Sequence, residues 1–151
     1  HYPSDATKAK NKAASQALWQ NADFVKKIIQ AQNRKPNKIE QQMINLLNKY
    51  FPKQFAYNGN FELGIALNSQ IPDFVNVNGK KEVIEVFGDY FHSPQLIGND
   101  WKRSELGKIM IYGSLGWKCF VIWEHELNEL TEEQIVQKIN TSFERKVGGV
   151  I

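Results

Sequence analysis

A chain of 151 residues, 42% hydrophobic and 12% aromatic, is sized and composed for one well-buried soluble α/β or α+β domain with a tail to spare. No apolar run approaches the roughly 20 residues that cross a bilayer and no secretory h-region is present, so no membrane partner is expected. The net charge of +3 hides an asymmetry: residues 1–38 hold eight Lys/Arg against Asp5 and Asp23 (+6), and residues 39–151 hold eleven against fourteen acids (−3). A basic arm on a mildly acidic body suits phosphate contact by the arm and cation chemistry in the body, a solvated lysine-rich helix being the plainer alternative. The single cysteine, Cys119, lies in an apolar run and reads as a buried thiol of an intracellular protein. With only three histidines beside it, a Cys-rich zinc site is excluded. Because the first residue is His1, the chain is expected to be a piece of something longer.

Residues 1–7 are small and polar and are expected to be disordered. From Lys8 to about Ala31 an Ala/Lys/Gln-rich stretch carries Leu18, Trp19, Phe24, Val25, Ile28 and Ile29 at roughly helical spacing. Within it, Asn21-Ala22-Asp23 can cap a second short helix starting at Phe24. Asn33 to Asn37 is a linker in which Pro36 stops what precedes it, dividing a basic helical arm, residues 1–36, from a main domain, residues 37–151. A helix over about Asn37 to Phe51 has a core stripe of Ile39, Met43, Ile44, Leu46 and Leu47 and ends before Pro52. Glu40 lies in its first turn, where the helix dipole favours a carboxylate for stability alone. Strand candidates follow at Phe55–Asn58 and Phe61–Leu67, around the turn signal Asn58-Gly59-Asn60.

The next two strands carry acids where packing alone has little use for them. If Asn78-Gly79-Lys80 forms a three-residue loop with Gly79 at positive φ, Val77 faces Lys81, Val75 faces Val83 and Asp73 faces Glu85. Phe74 with Ile84 and Pro72 with Val86 then make the opposite, apolar face. A two-residue turn would set Val75 against Glu82 and send the two acids to opposite faces, so the apolar pairing favours the longer loop. Directly opposed carboxylates repel by up to about 1 kcal/mol, a cost that a cation between them removes.

Gly88 to Gly98 reads as a loop in which Tyr90, Phe91 and His92 pack together, His92 being either a proton-transfer group or simply part of that aromatic cluster. Asn99 or Asp100 is expected to cap a helix running to about Tyr112, with Leu106, Ile109 and Met110 inward and Asp100 close enough to pair with Arg103. A cap and a surface ion pair are the structural explanation for those two charges. Gly116 to Trp123 reads as a buried strand, and Thr131 with Gln134 opens a last amphipathic helix, about Glu132 to Lys146. His125-Glu126 lacks the second histidine of a zinc-protease helix.

In order, these pieces are Glu40 early on a helix, Ile71-Pro72-Asp73-Phe74, Glu85-Val86-Phe87-Gly88, the aromatic loop ending in His92, Asp100-x-x-Arg103, and Gly116-Trp117 entering a strand. Together they resemble the Vsr-like nucleases of the PD-(D/E)xK superfamily over about residues 37–130. The pattern is most similar to the phage and intron homing endonucleases with an E-D-x-H-D residue set, here Glu40, Asp73, Phe87 at the variable position, His92 and Asp100. The resemblance implies an α/β (α+β) fold with a central mixed β-sheet flanked by helices. It also implies Mg²⁺-dependent, site-specific hydrolysis of phosphodiester bonds in double-stranded DNA, inside the cytoplasm of a host cell as a phage- or intron-encoded protein.

By that resemblance Asp73 would bind Mg²⁺ through its carboxylate and Val86 through its carbonyl, with Glu85 in the metal shell. His92 would activate the attacking water, Asp100 would orient it, and Glu40 would hold water or a second metal site. Lys26, Lys27, Arg34, Lys35 and Arg103 are the expected DNA contacts. Two departures matter. Phe87 stands where many members carry a lysine and the repair enzymes a histidine, and the zinc ligands of the repair enzymes are absent, which favours the homing branch. A homodimer on DNA and a recognition portion outside this sequence are left open. The alternatives are a restriction- or repair-type nuclease of the same fold, and a non-catalytic nucleic-acid-binding module.

Overall fold

Two helices lead into the sheet, and a polar residue fixes the start of the second. The computed structural model describes residues 22–32 and 34–145, so the expectations for residues 1–21 and 146–151 lie outside the described residues. In α1 (Ala22–Gln32), Ile28 is buried against the body, and Lys27 reaches the Ser69 carbonyl at 3.2 Å. The compositional boundary drawn at residue 36 is thus crossed by packing and by a hydrogen bond. α2 (Lys38–Tyr50) starts from Asn37, whose side chain accepts the Glu40 N–H at 2.9 Å while Glu40 Oε1 accepts the Asn37 N–H at 3.0 Å. This reciprocal cap satisfies two amides that the helix itself leaves unpaired.

Four strands, β1 (Phe55–Tyr57), β2 (Phe74–Asn76), β3 (Glu82–Phe87) and β4 (Lys118–Trp123), form one sheet in that order. β1–β2 and β2–β3 are antiparallel, and β3–β4 are parallel from Glu82↔Lys118 to Phe87↔Trp123. The sheet is therefore mixed and the chain belongs to the α+β class. Phe74 pairs with Ile84 and Val75 with Val83, and Gly79 sits at φ 89°. This is the register of the longer loop, and extending it by one residue sets Asp73 against Glu85.

Alternation along the strands splits the interior into two layers. One face buries Phe74, Ile84, Val86 and Ile122 under α2 and under α6 (Glu132–Ser142), which contributes Ile135 and Ile139. The other buries Val75, Val83, Phe87 and Val121 with Tyr112 and Cys119. A parallel β3–β4 pair needs a long crossover. It is built from α3 (Pro94–Ile97), a 3-10 turn (Trp101–Arg103) and α4 (Glu105–Gly113). α5 (Glu124–Glu129) follows β4, and α6 opens on a reciprocal Thr131–Gln134 cap.

Several expectations are corrected. Residues 61–67 form turns and loop, with only a Leu67↔Gln70 bridge, because Phe61, Gly64, Asn68 and Ser69 all take positive φ. The crossover helix starts at Ser104, not at Asn99 or Asp100: the Ser104 hydroxyl accepts the Gly107 N–H at 3.0 Å. Gly107 is required there, since a Cβ on it would lie 1.8 Å from the Trp101 carbonyl oxygen. With the start moved, the inward stripe moves too: Leu106 and Met110 are 66% and 56% exposed, and Tyr112 and Gly107 are buried instead. α6 stops at Ser142, four residues early, with Phe143 as its buried cap and Glu144 at φ 56°. The short helices α3 and α5 were not anticipated.

Candidate functional site

β3 is buried along its whole length yet contains two glutamates. Glu82 is matched by Arg145, which also donates to Gln54 at 2.5 Å and lies over the rings of Phe51, Phe55 and Phe143. That pair is structural. Glu85 is different, because its neighbour across the sheet is another acid.

Asp73 and Glu85 are 8% and 5% exposed, and the charge of Glu85 bears directly on Asp73. Asp73 Oδ2 also accepts the Val86 N–H at 2.8 Å. Burial, and then the charges of Glu85 and Glu40, push the Asp73 carboxyl well above the usual carboxylate range. Glu85 Oε1 accepts the Tyr112 hydroxyl at 2.5 Å and lies 3.7 Å from Lys108 Nζ, which itself donates to Gln70 at 2.7 Å. The Lys108 side chain is only 12% exposed, an unusual position for an ammonium group and one explained by the acid beside it. Burial raises the Tyr112 phenol as well, so it stays a donor.

Glu40 is 1% exposed behind this pair. Besides the helix cap it receives Arg34 Nη2 at 3.3 and 3.4 Å and the Tyr57 hydroxyl at 3.4 Å. Tyr57 reaches it by lying over Gly59, where a Cβ would be 2.3 Å from the phenolic oxygen. Gly59→Ala is expected to displace Tyr57 from Glu40 and to lower stability by about 1–3 kcal/mol, the usual cost of forcing atoms into a filled space. A thermal midpoint identical to that of the parent would refute this.

His92 stacks flat on Phe87, with centroids 3.7 Å apart and planes 6° from parallel, and meets Trp123 edge-on at 6.4 Å. Its Nδ1 lies 3.2 Å from the Arg103 carbonyl oxygen. With a proton on Nδ1 donated to that carbonyl, Nε2 carries the free lone pair. Burial lowers the imidazole, outweighing the Arg103 carbonyl and Glu85. Asp100 is exposed, and its described bonds are through its backbone, to Ile97 and Arg103. Arg103 is held by the Phe91 carbonyl at 3.0 Å rather than by Asp100.

Two clefts meet at Arg34. One, of about 320 Å³, is lined by Lys27, Gln30, Gly59, Ile71 and Asp73; the other, of about 390 Å³, by Asn37, Lys38, Val86, Phe91, His92 and Glu124 among others. The fold thus brings Glu40, Asp73, Glu85, Lys27 and Arg34 together, with Val86 and His92 lining the neighbouring cleft beside Arg34, while Lys26 and Lys35 are exposed. Lys27 is lowered by burial and then by Lys108, two cations facing the same acids. Lys108, Tyr112 and Tyr57 were not singled out from sequence. The available signal was the four-residue spacing of Lys108 and Tyr112, which places both on one helix face.

Among the described residues no three His, Cys, Asp or Glu side chains gather as a cation cage. A magnesium ion needs only one or two carboxylates and keeps several waters. Two buried, mutually repelling carboxyl groups fit such an ion, because a divalent charge removes the repulsion between them. Compared with known proteins, the chain matches no family model, no curated protein and no solved structure.

Proposed function

We propose that this chain is a Mg²⁺-dependent endonuclease that hydrolyses phosphodiester bonds in double-stranded DNA, of the Vsr-like homing type and phage- or intron-encoded. The observation that carries the reading is the pairing of Asp73 with Glu85, buried on one sheet face and surrounded by Lys27, Arg34 and Lys108. A structural acid is matched by one base, as Glu82 is by Arg145. Asp73 instead meets an acid, an arrangement that costs stability and that a cation-binding role explains.

Asp73, with Glu85 and the Val86 carbonyl beside it, would hold the ion. When bound, Mg²⁺ polarises the phosphodiester and stabilises charge on the leaving oxygen. Lys27, Arg34 and Lys108 neutralise the phosphate as it approaches. Lys26, Lys35 and Arg103 extend the cationic surface to flanking phosphates. Arg34 is bound to Glu40, so DNA entering between the two clefts competes for its guanidinium. Once Arg34 turns toward phosphate, His92 Nε2 can accept the proton of the attacking water. Tyr112 and Lys108 keep Glu85 in place throughout.

Incubating supercoiled plasmid with the protein and Mg²⁺, and in parallel with EDTA, tests this directly. Conversion to nicked or linear DNA in the first tube alone is the expected result. Intact plasmid in both, with duplex still bound, would favour a non-catalytic nucleic-acid-binding module.

A further inference from the structure

Asn58 is fully buried at the end of β1, where a turn residue is ordinarily solvated. Its backbone N–H donates to the Asp73 carbonyl at 2.7 Å, one step beyond the last β1–β2 pair. Its side-chain Nδ2 donates to the Pro72 carbonyl at 3.1 Å and to the Ile65 carbonyl at 2.9 Å. Its own carbonyl accepts the Phe61 N–H at 2.8 Å. Oδ1 accepts no hydrogen bond among the described residues, so the amide is kept for its donor end. The reverse orientation would aim an acceptor at two carbonyl oxygens, which fixes the assignment.

Asp73 is therefore held from both ends. The Val86 N–H fixes its carboxylate, and Asn58 fixes the peptide units on either side of its α-carbon. Resting on the nuclease reading above, we infer that Asn58 is a positioning residue for the metal-binding carboxylate of Asp73. The β1–β2 ladder ends at Tyr57↔Phe74, so without the Asn58 side chain the Pro72 carbonyl loses its tie to the end of β1, and the main-chain bond from Asn58 to Asp73 is left to hold that backbone by itself. A shift of about 0.5 Å in that backbone is enough to spoil a metal or catalytic geometry. The neighbouring residues serve the same cluster: Tyr57 holds Glu40, and Gly59 makes room for Tyr57. Tyr57-Asn58-Gly59 thus sets two acids at once, Glu40 from the helix and Asp73 from the sheet.

The competing explanation is that Asn58 merely stabilises the 58–72 loop. Manganese affinity in the absence of DNA separates the two, measured by calorimetry well below the melting temperature, with plasmid cleavage run alongside. Asn58→Ala is expected to weaken Mn²⁺ binding and slow cleavage by about 10–100-fold, the usual effect of removing a residue that orients a ligand. Asn58→Ser, which keeps one donor, should fall between Ala and the parent. A folded Asn58→Ala protein that binds Mn²⁺ within about twofold of the parent overturns the assignment, whatever its melting temperature. Should Asn58→Ala not fold, the same comparison is made on Asn58→Ser, and parental affinity there overturns it equally. A parent protein that neither binds Mn²⁺ nor cuts plasmid overturns the nuclease reading and this role together. A parent that does both, beside Asn58 variants that match it, overturns only the role of Asn58.

Discussion

On the proposed nuclease reading, Asp73→Asn is expected to abolish plasmid cleavage and, at neutral pH, to raise the melting temperature. Asparagine is nearly isosteric, and its carbonyl oxygen can still accept the Val86 N–H. What disappears is the charge. The Asp73 carboxyl is raised well above its ordinary value by burial and by Glu85 and Glu40, so the folded state holds its proton more tightly than the unfolded chain does. Ionising the group costs stability, and that cost grows as pH rises from the unfolded value of about 3.9 through the folded one, then levels. The gain in the asparagine variant should therefore vanish toward pH 3. Duplex affinity, assigned in that proposal to Lys27, Arg34 and their neighbours, should be unchanged. A variant that cuts like the parent would remove Asp73 from the chemistry, and one that melts lower at pH 7 would show that the carboxyl group contributes to packing.

His92→Ala should slow single-turnover cleavage by at least about a hundredfold, the range expected for a positioned base. Phe87 cannot exchange a proton, and among the described residues no other histidine lines either cleft. Burial lowers the imidazole, so it is neutral and able to accept a proton throughout the neutral range. Cleavage by the parent should accordingly hold steady down to about pH 6.5, the unperturbed imidazole value, and decline only below it. His92→Ala should lack this acidic limb. Phe87→Leu, which removes the stacked ring, should reduce stability while sparing the limb. If His92→Ala cuts within a few-fold of the parent, the ring belongs to the Phe87–Trp123 aromatic stack and Mg²⁺-bound hydroxide acts without it.

The hairpin was legible because period-two alternation leaves little choice of register: shifting it by one residue would have set Glu82 against Val75 and sent Asp73 and Glu85 to opposite faces. The cap at Thr131 was legible for a similar reason, being a polar residue answered three positions later by Gln; the same pattern at Asn37 and Glu40 was read only as a carboxylate favoured by the helix dipole. The crossover was not. Leu106, Ile109 and Met110 have helical spacing, but apolar spacing does not say which side of a helix faces the sheet. The decision came from Ser104 and from Gly107 passing under the Trp101 carbonyl. Lys108 escaped notice because a lysine is ordinarily solvated, and its burial depends on Glu85, which is distant in sequence. Asp100 was read as a partner for His92 from order along the chain, whereas a backbone carbonyl stands at that nitrogen.

Parallel pairing of β3 with β4 also bears on when the site comes into being. His92, Lys108 and Tyr112 all lie on the connection between those strands, residues 88–117, whereas Asp73 and Glu85 meet across a short hairpin. The hairpin can close in microseconds, but the parallel pair must first close a long loop, which is slow. During folding the two acids therefore face each other in water, without Lys108 or Tyr112, until the crossover docks. Hydrogen exchange during refolding would see β2–β3 protected early and β4 late. With that order, the buried acid pair of a newly made chain gains Lys108 and Tyr112 only once its last strand is in place.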